Sequence, residues 1–232
     1  MMVMALSMAL VAASCNMSNA AKGGMIGGAA GGALGTGIGA GIGALVGGSS
    51  GAKLGAAIGA GVGVAGGATA GALIGRKMDK AKAAAAAIAN AETYTDKNGL
   101  EGVKVTFDGG ILFATGKSQL SSKAQASLKK FAEVLKEYND CDVNIYGFAS
   151  SVGSEQTNLT LSQARATSVS TFLKNCGVAS TQLKATTGFG ENPEYLIYNA
   201  DGSENQAASQ RVEVYLYASE AMIKAANEGT LQ

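Results

Sequence analysis

A single arginine, Arg165, flanks an amphipathic helix in the stretch NIYGFASSVGSEQTNLTLSQARATSV (144–169), which reads as a strand, a Gly-hinged loop and then that helix. Its position suits a cation at the mouth of a crevice. At the loop tip, where a carboxylate would complement it, stand Ser150 and Ser151. The segment SSVGS offers hydroxyl nucleophiles but no base, because the chain has no His and Lys174 lies at the far end of the helix. Asp108, Asp142 and Glu155 fall on separate elements, so no carboxylate pair is set up for acid–base work. Without His, imidazole catalysis, His-based triads and His metal sites are excluded. These residues describe a binding protein, not an enzyme, with no cofactor and no metal site.

The elements that must position them follow from periodicity. GVKVTFDGGILFATG alternates Val103, Val105 and Phe107 with Lys104 and Thr106, a half-buried strand. Ser121 precedes a helix with Ala124, Leu128, Phe131 and Leu135 at helical spacing. DVNIYGFA forms the next strand, and the second helix runs from about Ser154 to LKNCGV, where Gly177 ends it. QLKATTGFG and QRVEVYLY supply two more strands. The order β-α-β-α-β-β over residues 99–218 implies an α+β domain, a small mixed sheet with two helices on one face. Strand two starts at Cys141 and helix two returns to Cys176, so both sulfurs belong at one end of the sheet. In an oxidising compartment such a pair predicts a disulfide, the alternative being two small buried thiols. Residues 78–98, with the run AKAAAAAIANAE, read as an Ala-rich helical stalk, and 219–232 as a C-terminal tail.

Composition divides the chain further. Of 34 Gly, 22 lie between Gly23 and Gly75, against a single Pro in the whole chain. Lys+Arg 18 against Asp+Glu 17 leaves a net charge of +1, which excludes the basic footprint of a nucleic-acid-binding protein. In residues 23–77, Gly occupies every fourth position from Gly23 to Gly75, a register that lays small residues along one helix stripe and lets two backbones approach closely. GGSSGAK at 47–53 splits the run into about 25–46 and 54–74, each near the ~20 apolar residues that cross a bilayer. Lys53 marks the turn, and Arg76, Lys77 and Lys80 mark the exit. A membrane helical hairpin over 25–74, able to form a homo-oligomer, is the leading reading. The period-two pieces GTGIGAGIG and GAGVGV keep a strand-like assembly open, and a flexible Gly-rich linker is the third alternative.

The N-terminus, MMVMALSMALVAASCNMSNA, resembles a bacterial lipoprotein signal, although it lacks an early Lys or Arg and has Ala12 where Leu is usual. The resemblance implies a signal peptide at 1–14, diacylglyceryl attachment at Cys15 and a lipidated N-terminus over 15–22. Residues 103–217 resemble the OmpA-like domain that binds peptidoglycan, through ILFATGKSQLS (111–121), GFASSVG (147–153), Asn158, LSQARA (161–166), GFGENP (188–193) and QRVEV (210–214). The glycine segment, too, looks like the glycine zippers that precede such domains in some bacterial lipoproteins.

This resemblance implies an outer-membrane lipoprotein whose periplasmic domain holds the diaminopimelate of the stem peptide, its ammonium and its carboxylate, at the end of strand two. Arg165 matches the family arginine that grips the carboxylate through a planar fork. Ser150 stands where the family has the aspartate that takes the ammonium, and Glu155, further along the loop, is the candidate replacement. Asn158, Ala149 and Phe148 complete the expected binding set, with packing of Phe148 on helix two as its alternative. A surface salt bridge is the alternative role for Arg165, and Arg211 is expected to be structural. The runner-up function is a membrane assembly protein that oligomerises through its zipper, with the domain as a protein-docking module.

Overall fold

A computed structural model describes residues 67–96 and 98–231. The signal peptide, Cys15 and the zipper up to residue 66 lie outside the described residues. The chain order is α1 (Gly67–Ala86), β1 (Asn90–Thr95), β2 (Glu101–Asp108), a one-turn α2 (Gly109–Leu112), α3 (Ser122–Glu137), β3 (Cys141–Phe148), α4 (Glu155–Asn175), β4 (Leu183–Gly188), a 3-10 turn (Pro193–Tyr195), α5 (Gln206–Ser209), β5 (Arg211–Ala218) and α6 (Glu220–Asn227). The sheet is mixed, with strand order β1-β2-β5-β3-β4, antiparallel except for β3 and β4. The α+β class and the order β-α-β-α-β-β therefore hold for β2 through β5.

Register explains which side chains become core. Val103, Val105 and Phe107 pair across to Leu216, Val214 and Val212, and Leu216 and Val214 pair onward to Val143 and Ile145, so one sheet face carries a continuous apolar surface. On it α3 buries Leu128, Phe131 and Leu135, and α4 buries Ala166, Val169 and Leu173, in one cluster with the strands. Ser121 starts α3 as its N-cap, accepting from the Ala124 amide at 3.0 Å while its hydroxyl donates to the Ile111 carbonyl at 2.8 Å.

Three expectations change here. The stalk is no free-standing helix: α1 begins at Gly67, buries Ala70, Ile74, Met78, Ala81 and Ala85 at helical spacing in the same cluster, and gives way to the edge strand β1. The end of the expected membrane arm, through Ile74, is thus domain core, since a side chain 1% exposed inside this cluster is not facing lipid. No helix among the described residues is long and apolar enough to cross a membrane. The expected tail contains α6, which packs Met222, Ile223 and Ala226 into the core beside α1. Ile74→Val should accordingly lower unfolding stability by about 1 kcal/mol, measured by denaturant titration, whereas a lipid-facing residue would leave it unchanged.

The disulfide expectation is corrected as well. Cys141 and Cys176 are free thiols. Cys141 is sequestered in the core, where burial pushes its thiol up to about 12, while Cys176 is the half-buried C-cap of α4 packed against the outside of that cluster.

The opposite face of the sheet is tiled by aromatic rings. Tyr94 meets Tyr215 edge-on at 5.0 Å, Tyr215 meets Tyr146 at 5.4 Å, and Tyr146 meets Phe189 at 5.2 Å. Burial raises Tyr94, Tyr215 and Tyr217 above their ordinary value and Tyr146 to about 12. Because folding disfavours the phenolates, this stability is complete below the unfolded tyrosine value of 10.0 and is lost as pH rises towards 12. A thermal midpoint flat through neutral pH and falling from about pH 10 upward is expected; a midpoint unchanged at pH 11 would contradict it.

Candidate ligand-binding crevice

At its C-terminal end β3 passes into the loop 149–154, which turns through Gly153 (φ +113°) into Ser154, the N-cap of α4. The Ser154 hydroxyl accepts from the Thr157 amide at 3.3 Å. Asn158, on the first turn, is 5% exposed, and its amide nitrogen lies 3.0 Å from the Ser150 carbonyl, 3.1 Å from the Val152 carbonyl and in contact with the Glu191 carboxylate. Asn158 thereby clamps loop to helix.

Two turns further along α4 comes Arg165, only 3% exposed. Its Nε donates to the Lys117 carbonyl at 3.1 Å, and its guanidinium carbon lies 5.2 Å from the centre of the Phe113 ring. Both partners belong to the segment 111–121 quoted above. Nη1 is buried and has no hydrogen-bond partner, and no carboxylate pairs with Arg165 among the described residues. The surface salt bridge is therefore not its role. Burial lowers its pKa, the cost of holding a cation where water does not reach.

Asn158 and Arg165 are brought to the strand ends because α4 sits close to the sheet. Gly147 and Gly188 face each other across β3 and β4, and a Cβ on either would lie 2.2 Å from helix backbone, at the Ser162 carbonyl oxygen and the Gln163 nitrogen respectively. Absence of a side chain on both strands lets LSQARA lie against the strand ends.

Of the other expected site residues, Phe148, Ala149 and Ser150 are buried. Phe148 is 2% exposed and points to the face away from α4, since its neighbour Gly147 faces the helix; it stacks on Phe189 at 5.5 Å, meets Tyr195 at 5.4 Å and lies 4.2 Å beneath the Arg211 guanidinium. Neither rim position nor packing on helix two describes it. Ala149, 3% exposed, donates its amide to the Gly190 carbonyl at 2.8 Å and offers no open surface. Ser150 is 3% exposed and accepts from the Gln210 side chain at 3.3 Å. Glu155 is exposed on the first turn of α4. Arg211 is structural as expected, bonding Glu213 at 2.7 Å and the Tyr195 and Ser209 carbonyls at 3.1 and 3.2 Å.

Two carboxylates of the β4–β5 connection come near, one reaching the serine loop and the other the first turn of α4. Glu191 contacts Asn158, and Glu204 accepts from both the amide and the hydroxyl of Ser151. These contacts span 33 and 53 residues, so no local spacing announces them, although Glu191 lies in GFGENP. Among the described residues no cluster of three or more His, Cys, Asp or Glu could hold a metal ion.

Known proteins give this geometry a context. A match described as OmpA family spans residues 112–225, from α2 to α6. "Probable lipoprotein YiaD" of Escherichia coli (strain K12) is 34% identical over 106 residues, 46% of this chain and 47% of that protein. The "Peptidoglycan-associated lipoprotein" of Mesorhizobium japonicum is 31% identical over 111 residues, 48% of this chain and 61% of that one. The match thus spans less than two thirds of either relative. A MotB-like protein from Desulfovibrio vulgaris shares the fold with TM-score 0.50 at 21% identity, over 62% of this chain and 88% of that one. The match identifies residues 112–225 of the chain as an OmpA family domain.

Proposed function

We propose that this protein is an outer-membrane lipoprotein, anchored through a lipidated Cys15, whose periplasmic domain binds the peptidoglycan stem peptide non-covalently and tethers membrane to wall. The observation that carries the reading is the buried guanidinium of Arg165 with Nη1 unpartnered. A desolvated cation without an anion is costly to the folded state. The cost is offset when a ligand carboxylate enters, and the planar fork fits that group. The named relatives, a peptidoglycan-associated lipoprotein among them, support the wall as the source of that carboxylate.

The path of the chain suits a tether. Lys77, midway along α1, bonds Asp140 at 2.7 Å beside the start of β3, and β1 begins where Asn90 pairs with Thr106 near the end of β2. So α1 enters at the base of the domain and ends near the crevice, and Gly67 lies about 15 Å further back along the helix from Lys77. An anchor preceding Gly67 and a wall ligand in the crevice would pull on opposite ends. The test is co-sedimentation of the detergent-solubilised full chain with purified sacculi, with soluble stem peptide as competitor. Pelleting that the peptide reverses is expected; protein left in the supernatant overturns the proposal.

A further inference from the structure

We infer that the aromatic face of the sheet is a second binding surface, a platform for an uncharged glycan strand. It rests on the wall-binding reading above only for the source of that glycan, the strand from which stem peptides branch. Strand parity builds the face. On β5, Glu213, Tyr215 and Tyr217 alternate with the core residues Val212, Val214 and Leu216, and on β3, Asn144 and Tyr146 alternate with Val143 and Ile145. Helices α1, α3, α4 and α6 bury their apolar residues in the one cluster that holds Val103, Val143 and Leu216. Among the described residues the long helices therefore leave the aromatic face open, and Tyr94, Phe189, Tyr215 and Tyr217 are each only half-buried.

Two of these rings lie flat. The Tyr215 hydroxyl donates to Glu213 at 2.7 Å, two residues back on its own strand, and the Tyr217 hydroxyl donates to Asn144 on β3 at 3.3 Å. A phenol that reaches a partner rooted on the same face lies along the sheet instead of standing upright on it. Tyr94 stands beside Tyr215 as a wall, the ring planes 84° apart, in the space that Gly102 leaves; a Cβ there would fall 2.5 Å from Tyr94 Cε1. A sugar ring presents one face of C–H bonds, weakly positive, which packs on the negative π face of a flat aromatic ring. Thr106, paired with Glu213, and Thr187, paired with Tyr146, share this side with Asn144 and supply hydroxyl and amide partners for sugar hydroxyls.

Charge and continuity select the occupant. Lys104 pairs with Glu92 at 2.9 Å, Lys184 with Asp142 at 3.4 Å and Arg211 with Glu213 at 2.7 Å. At the strand ends Asp96 and Asp108 accept backbone amides at 2.8 and 2.7 Å. A face whose charges cancel in place gives no purchase to an anionic lipid or a nucleic acid and suits a neutral, hydroxylated chain. The rings also lead to the crevice: Phe189 meets Tyr146 at 5.2 Å and stacks on Phe148 at 5.5 Å, and Phe148 is the last residue of β3 before the loop 149–154. A wall strand whose peptide branch enters the crevice would lay its sugar backbone on this platform.

The experiment titrates the neutral β-1,4-linked tetramer of N-acetylglucosamine into the 15N-labelled full chain, held in a detergent without a sugar headgroup. Saturable shifts are expected at the amides of 104–106, 144–146, 187–189 and 213–217. Tyr215→Leu and Tyr217→Leu, which keep apolar bulk but lose the ring, should each weaken binding about fivefold, and Arg165→Met should bind the tetramer as wild type does. No saturable shift on these strands, shifts confined to 149–154, or leucine variants that bind like wild type overturn the inference and leave stem-peptide binding intact. Shifts at these amides that follow protein concentration without sugar identify a second copy as the occupant and overturn it as well. If a leucine variant melts early, the wild-type shift map still decides. A chain that binds the tetramer on these strands but no stem peptide keeps the platform and removes the crevice reading.

Discussion

Replacing Arg165 with methionine should weaken retention on sacculi by about ten- to a hundredfold, because hydrogen bonds to charged groups contribute roughly 1.5–3 kcal/mol each. The same substitution should leave the fold as stable as before or raise its melting temperature. The two halves of this prediction belong together. Arg165 is buried, with one hydrogen bond to a backbone carbonyl, a long approach to the Phe113 ring and an orphaned Nη1. Methionine fills similar volume without a charge to desolvate, and exchanging unpaired buried charge for apolar packing is often neutral or stabilising. A structural arginine would behave oppositely. Arg211, fixed by Glu213 and two carbonyls, is the internal comparison: its removal strands a buried carboxylate and should lower the melting temperature. If Arg165→Met destabilises as much as Arg211→Met, Arg165 is held for folding and not for a ligand.

The second large effect is expected at Gly188. In Gly188→Val the new Cβ falls 2.2 Å from the Gln163 nitrogen and 2.5 Å from its Cα, backbone atoms of α4 that no side-chain rotation can clear. Either the helix lifts from β3 and β4 or the strand end breaks its pairing, and overpacking of this kind costs about 3 kcal/mol or more. Displacement also withdraws the bond from the Gly188 amide to the Gln163 side chain, at 2.8 Å, and that from the Gly190 amide to Ser162. Because α4 carries both Asn158 and Arg165, wall retention should fall together with the melting temperature. A Gly188→Val protein that melts like wild type would show that the helix does not need this approach.

How much of this could be read in the chain differs by element, for physical reasons. Strands β2 and β3 and helix α3 alternate large apolar and polar residues at clean periods, so their order was legible, whereas α4 buries the polar residues Asn158, Ser162, Arg165 and Ser170 and was bounded by Ser154 and Gly177 instead. Helix α1 was read as a stalk because its buried stripe consists largely of Ala, whose apolar signal is faint beside the Lys residues around it. Strand β1, NAETYT, is a polar edge strand that bonds to one neighbour only, and α6 spans just eight residues.

The site divides in the same way. Arg165, Asn158 and the serine loop stand in the motifs quoted for the resemblance, and the structure brings loop and helix together through Asn158. Phe148 was misplaced because its face follows strand parity: Val143, Ile145 and Gly147 face the helices, which turns Tyr146 and Phe148 to the opposite face. The acids at Glu191 and Glu204 depend on how a connection folds back over a loop tens of residues earlier, a tertiary fact that neither periodicity nor local spacing encodes. Glu155, near in sequence, is exposed on the first turn of α4, and among the described residues it is Glu204 that accepts from the loop.

The central claim is that the wall ligand enters between Arg165 and the loop 149–154. Titrating stem peptide into uniformly 15N-labelled protein tests it most directly, because the Arg165 Nε–H gives its own signal beside the backbone amides. The account predicts saturable shifts of that Nε–H, of the amides of 149–154 and of Gly190 and Glu191, with the base of the domain around Lys77 and Asp140 unmoved. Shifts confined to the base, or an Arg165 signal unchanged at saturation, would contradict it.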